Sequence, residues 1–108
     1  MQSVLVWINS APSSPNLSSA FQLALRMRAQ GRAVSIFMAQ DAVLAGVRAP
    51  GETPVAHALQ AGIATYALSE DLQLRGFTLA ALRDGVRLAD YAQLVDLLAQ
   101  HERVVGAL

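Results

Sequence analysis

Short unbroken apolar runs alternate with longer amphipathic ones along the chain, and that alternation predicts strands and helices in turn. Residues 4–8 are continuous and rich in β-branched side chains, and Asn9 and Ser10 close them, which is the pattern of a strand buried on both faces. A Ser/Pro/Asn loop leads into a helical pattern over residues 15–30, stopped by Gly31. Residues 32–38 form the next strand, with Val34, Ile36 and Phe37 as its apolar positions. Residues 42–47 read as a short helix and 48–53 as a surface loop. Thr53 followed by Pro54 has the form of an N-cap with proline at the first helical position, opening a helix that closes at Gly62. Strands over residues 63–68 and 86–88 flank two helical pieces, one capped by Ser69 and running to Arg75 with Gly76 at its end, the other opened by Thr78. Asp90 caps a last helix to about residue 100, and residues 103–108 make a fifth strand.

Regular alternation of strand and helix predicts an α/β fold: a three-layer α/β/α sandwich around a five-stranded, mostly parallel sheet, flavodoxin-like in appearance, with right-handed crossovers. The 108 residues suit a single domain over positions 1–108, long enough for a real hydrophobic core. Two helices are more apolar than an ordinary surface allows. In the first, Leu17, Ala20, Phe21, Leu23, Ala24, Leu25 and Met27 cover an arc of roughly 200°, where about 100° suffices for one buried stripe. In the last, Tyr91, Ala92, Leu94, Val95, Leu97, Leu98 and Ala99 form a comparably wide arc. Both predict a further partner.

Composition strengthens that expectation, since 54% of residues are hydrophobic and 15% charged, against roughly 25% charged in an average soluble domain. Apolar surface left exposed by so little charge marks an association surface, so self-association as a dimer, trimer or hexamer is expected. Eight arginines balance eight acids, lysine is absent, and a net charge of zero argues against direct nucleic-acid binding and against an electrostatic membrane anchor. No apolar run approaches the roughly 20 residues of a membrane span, and the N-terminus lacks a basic start and a cleavage site, which predicts a cytoplasmic protein.

Candidate chemistry gathers after the strands, where open α/β sheets place their ligand crevice. Ser69, Glu70 and Asp71 have the make-up of an ordinary helix start, a hydroxyl followed by carboxylates in the first turn, rather than of an activated serine nucleophile. Arg75 suits the negative end of the same helix, with anion binding as its alternative role. The loop carrying Ser10, Ser13, Ser14 and Asn16 lies at a helix N-terminus and could hold a phosphate, but it has no glycine and two prolines remove N–H donors. Gly46 and Gly51 have the spacing of a P-loop pair, yet Glu52 and Thr53 follow where Lys and Ser/Thr are needed. His57 and His101 stand without cysteines or a metal-ligand spacing, so neither a metal nor a cofactor is expected. Asp41, at the end of the second strand, reads as a loop or cap residue.

Residues 66–77, reading YALSEDLQLRGF, resemble the DsrE/DsrF/DsrH sulfur-relay family, also known as TusB/TusC/TusD, through Tyr66, Ala67, Leu68, Glu70, Asp71, Leu72, Arg75 and Gly76. The likeness is greatest to the DsrH and TusB branch. It extends to GVRLADYAQLVDLLAQHERVV over residues 85–105, including His101, while INSAPSSPN over residues 8–16 is more like DsrE itself. The resemblance implies the same sandwich architecture. It also implies that the cysteine of sulfur-carrying members, eight residues before the glycine, corresponds to Leu68 here, and no other cysteine exists. A carried persulfide needs a thiolate, which neither Leu68 nor Ser69 supplies. The expectation is therefore a non-catalytic, oligomeric DsrE/DsrH-like subunit associated with sulfur relay, in tRNA 2-thiouridine synthesis or sulfur oxidation, working with cysteine-bearing DsrE-family paralogues. The alternative is a small-ligand or anion-binding module using the strand-end crevice, and an enzyme with non-cysteine chemistry stands third.

Overall fold

The computed structural model describes residues 2–106. Five strands, β1 (Ser3–Ile8), β2 (Ala33–Met38), β3 (Ala64–Leu68), β4 (Arg87–Ala89) and β5 (Arg103–Val105), make one sheet in the order β4-β3-β2-β1-β5, with every neighbouring pair parallel. Four α-helices, α1 (Pro15–Ala29), α2 (Pro54–Gln60), α3 (Ser69–Leu74) and α4 (Tyr91–Gln100), connect them, with 3-10 turns at Gln40–Gly46 and Leu79–Ala81. The steps β1 to β4 run in one direction across the sheet, and the return to β5 runs the other way. Right-handed crossovers therefore put α1, α2 and α3 on one face and α4 alone on the other.

On each strand the side chains alternate between these faces. Val4, Val6 and Ile8 of β1 pair in register with Val34, Ile36 and Met38 of β2, and all six are buried. Leu17, Ala20, Phe21 and Ala24 of α1 join the same cluster. The opposite face carries a row of larger residues: Trp7, Phe37, Tyr66 and Arg87 lie in register across four strands. Phe37 stacks on Tyr66 with ring centroids 6.3 Å apart, and the Arg87 guanidinium sits 5.8 Å above the Tyr66 ring, within range of a cation–π attraction.

Capping chemistry sets the helix starts. The Ser14 hydroxyl accepts from the Asn16 N–H, Thr53 accepts from Ala56, and Asp90 and Gln93 form a reciprocal capping box. At the end of α3 the Gly76 and Phe77 N–H groups return to Gln73 and Leu72, a Schellman arrangement that needs the positive φ (83°) of Gly76. No glycine ends α4. His101 does so instead, its Nδ1–H donating to the Leu97 carbonyl at 2.6 Å, which leaves Nε2 to meet the Ser35 hydroxyl on β2 at 3.0 Å.

Element boundaries differ from the sequence reading in informative places. Strands β2, β3 and β4 each begin one residue later than expected, because Arg32, Ile63 and Val86 still belong to the preceding turns. The piece expected over 42–47 is a 3-10 turn starting at Gln40. Thr78 precedes the second 3-10 turn without a side-chain cap. The fifth strand runs from Arg103 to Val105, and residues 107–108, also expected in it, lie outside the described residues. The first helix, contrary to the expectation from its wide arc, satisfies most of its apolar surface within the chain: Leu23 and Leu25 are half-buried against the core. The last helix does not, since only Leu94 and Leu97 are buried, while Tyr91 and Val95 are 55% and 63% exposed. No helix among the described residues is long and apolar enough to cross a membrane.

Candidate functional site

The C-terminal ends of β2, β3 and β4 bring together Leu68, Ser69, Glu70, Asp71 and Arg75 with three residues from elsewhere: Gln40, Asp41 and Tyr91. Leu68 ends β3 and is itself the N-cap of α3, extended at φ −69° and ψ 120°, with no side-chain cap bond. Its side chain is 2% exposed and belongs to the hydrophobic cluster, so Leu68 does not line an open crevice. Ser69, expected as the cap, is instead the first residue inside the helix, and its hydroxyl donates to Glu70 Oε1 at 2.8 Å. A hydroxyl one residue into the helix no longer faces the N–H groups that a cap serves.

Each charged group here is matched within the chain. Glu70 Oε2 accepts from the Tyr91 N–H at 3.3 Å, linking the start of α3 to the start of α4. The Ser69 hydroxyl, with further help from the Glu70 and Tyr91 N–H groups, holds the Glu70 carboxyl below its ordinary range, against the opposing effects of desolvation and the Asp90 charge. Asp71 Oδ2 accepts from the Gln40 N–H at 2.6 Å. Gln40 has φ 51°, the left-handed region that a side chain disfavours, and the short charge-assisted bond from Asp71 holds it there. Arg75 donates through Nε and Nη2 to Asp41 Oδ1 at 3.1 and 2.8 Å, and through Nη1 to the Asp71 carbonyl at 2.9 Å. Its guanidinium is committed to structure, which weakens its alternative role as an anion ligand.

What remains open at this end is a hollow of about 180 Å³ lined by Ser69, Leu88, Ala89, Asp90 and Gln93. The carboxylate that lines it, Asp90, accepts from the Gln93 N–H, while the Ser69 hydroxyl is directed at Glu70 instead. His57 pairs with Glu52 at 3.1 Å, and His101 is engaged with Leu97 and Ser35, so neither histidine is hydrogen-bonded to Ser69. Among the described residues no group of three or more His, Asp or Glu side chains is arranged to hold a metal.

The other loop singled out by sequence lies after β1, two strand spacings, or about 10 Å, from the end of β3. Ser14 is spent on capping α1 and its N–H donates back to Ala11 O at 2.9 Å; Ser13 and Asn16 are exposed and Ser10 is half-buried. The end of β2 lies between this loop and Ser69 in the sheet order. Gln40 and Tyr91 went unseen in the sequence because they contribute backbone N–H groups, which no residue type announces. Asp41 was visible, but only as a loop acid.

The family described as DsrH like protein matches residues 13–104 of the chain. Protein TusB of Photorhabdus laumondii is 35% identical over 72 residues, which cover 67% of this chain and 73% of that protein. Among solved structures, the ychN protein of E. coli superposes with a TM-score of 0.88 at 25% identity, covering 99% of this chain and all (100%) of the other. A protein of unknown function from Methanobacterium thermoautotrophicum superposes with a TM-score of 0.82 over the same shares (99% and 100%), and at 14% identity it attests the fold alone.

Proposed function

The chain belongs to the DsrH-like family, and from that membership we propose that it is a non-carrying subunit of a sulfur-relay assembly, one that contributes contacts rather than a sulfur-bearing residue. The observation that carries the reading is the absence of any cysteine in the whole sequence, combined with a leucine buried at the end of β3 where the resemblance puts the carrier. A persulfide forms only on a thiolate, and nothing else at the strand ends can substitute for one.

Contacts have a candidate surface. α4 alone covers its face of the sheet and leaves Tyr91 and Val95 exposed, and Val104 on β5 is 41% exposed. Among the described residues β5 is also a sheet edge, with only β1 beside it. Apolar side chains rising from a lone helix, together with an unpaired strand edge, support self-association or docking of a paralogue that bears the missing cysteine. Dimer, trimer and hexamer are all compatible with this reading. The proposed setting is the cytoplasm, in tRNA 2-thiouridine synthesis or sulfur oxidation.

Incubation with a cysteine desulfurase, labelled cysteine and a cysteine-bearing paralogue tests the proposal. Reductant-releasable label is expected on the paralogue and none on this chain. Label held by this chain would overturn it.

A further inference from the structure

Away from the strand ends, two arginines are clasped around each other's backbone. Val47 and Leu82 form an isolated antiparallel bridge, flanked by the Arg48 N–H donating to Ala81 O at 2.9 Å and the Arg83 N–H donating to Gly46 O at 2.8 Å. The side chains then cross over. Arg48 Nε donates to the Leu82 carbonyl at 2.9 Å, and Arg83 Nη2 donates to the Ala49 carbonyl at 2.7 Å. Each guanidinium is thus fixed by a neutral oxygen on the other's segment. Both line a hollow of about 420 Å³, together with Ala49, Ala56, Leu59, Gln60 and Asp84.

From this geometry we infer that the Arg48–Arg83 hollow is a binding site for a phosphate-class oxyanion, lying apart from the strand ends that the proposed function concerns. Three observations carry the inference. The Arg83 Nε is buried and has no hydrogen-bond partner, and no carboxylate among the described residues pairs with this guanidinium. The guanidinium therefore keeps its full charge, and because Nε is sealed from solvent, an oxyanion in the hollow would meet it through the Nη groups. The hollow holds two guanidinium charges against the single carboxylate of Asp84, a local excess of one positive charge in a chain whose net charge is zero. Finally, the planar guanidinium fork matches a tetrahedral oxyanion, and the carbonyl anchors pre-orient both forks without neutralising them.

Asp84 is the built-in competitor. It meets Arg48 Nη2 at 3.0 Å, but its side chain is 92% exposed, and an ion pair so solvated is readily displaced by a dianion. The volume exceeds what one phosphate fills, with the Gln60 amide and the Ala56 and Leu59 side chains available to whatever the phosphate is attached to.

The test is an NMR titration of the arginine side-chain N–H resonances with inorganic phosphate at constant ionic strength, with chloride as control. Saturable shifts at Arg83 and Arg48 are expected with phosphate alone. Adenosine monophosphate in a parallel arm identifies the source: tighter binding than phosphate indicates an esterified ligand, and equal or weaker binding the free ion. Arg83→Gln should abolish the effect. Because that change also releases Ala49, two variants that keep both arginines guard the test: Gln60→Glu should weaken binding by roughly 3-fold or more, and Asp84→Asn should tighten it by a similar factor. Absence of saturable shifts in the unaltered chain, or shifts indifferent to Gln60→Glu and Asp84→Asn, would overturn the inference.

Discussion

Arg75 at the end of α3 directs both Nε and Nη2 at a single oxygen of Asp41, 34 residues earlier, at 3.1 and 2.8 Å. Together with Asp71 on the Gln40 N–H and Glu70 on the Tyr91 N–H, this pair fastens α3 to the turn after β2 and to the start of α4. The segment that carries the family signature is therefore rigidly placed by polar contacts, with Leu72 beneath it in the core.

Removing Arg75 should cost more than removing Asp41. Arg75→Ala loses the ion pair and the bond to the Asp71 carbonyl, and the side chain is 26% exposed against 59% for Asp41. Urea denaturation should give a loss of about 1–2 kcal/mol for Arg75→Ala and about 0.5 kcal/mol for Asp41→Ala, after allowing for solvent screening. Equal small losses would mean that the pair does not hold α3.

Glu70 makes the fold sensitive to acid with a definite sign. Its carboxyl is held below the ordinary range first by the Ser69 hydroxyl and then by backbone N–H groups, so its contribution is present above the unfolded-state pKa and disappears as pH falls through the lower folded-state value. Ser69→Ala should raise the Glu70 pKa, measured by carboxyl carbon NMR titration. An unmoved Glu70 titration in Ser69→Ala would remove the hydroxyl from the account.

The histidine that ends α4 is expected to act as a structural tie. His101→Ala removes the side-chain bond to the Leu97 carbonyl, which keeps the backbone N–H of residue 101, and frees the Ser35 hydroxyl, and should lower stability by about 1 kcal/mol. Combined with Ser35→Ala in a double-mutant cycle, it should show coupling of about 0.5–1 kcal/mol, and strict additivity would deny the contact.

Neighbouring residues of α4 should separate folding from association. Leu94 is 6% exposed, so a charge there leaves an unpaired ion in the core and should unfold the chain, as circular dichroism would report. Val95 is 63% exposed, and Val95→Glu should leave the fold intact while light scattering registers a smaller assembly. A Val95→Glu assembly of unchanged size would place the contact surface elsewhere.

Local chemistry was legible in the sequence. Thr53 and Asp90 cap their helices as their spacing predicts, because a cap acts over two or three residues. The apolar run of β1 likewise located a strand covered on both sides, while the short edge strands β4 and β5, each opening on an arginine, were located by their place between helices and turns. Ser69 misled because a serine beside two acids can serve a side chain as readily as the backbone, and here it serves Glu70. The partners of Asp71 and Arg75 lie 31 and 34 residues away, and no local period encodes such pairings. The crossing of Arg48 and Arg83 was hidden for the same reason. The arc of α1 misled in another way, for a helix flanked by both a sheet and α2 has more than one stripe to bury.

Native mass spectrometry of the protein isolated from its own host, followed by denaturing analysis of the same sample, tests the central claim most directly. The account predicts an assembly heavier than one chain that includes a cysteine-bearing paralogue, from which this chain is released at its unmodified mass of 11.5 kDa. A solitary monomer, or a chain carrying added sulfur, would contradict it.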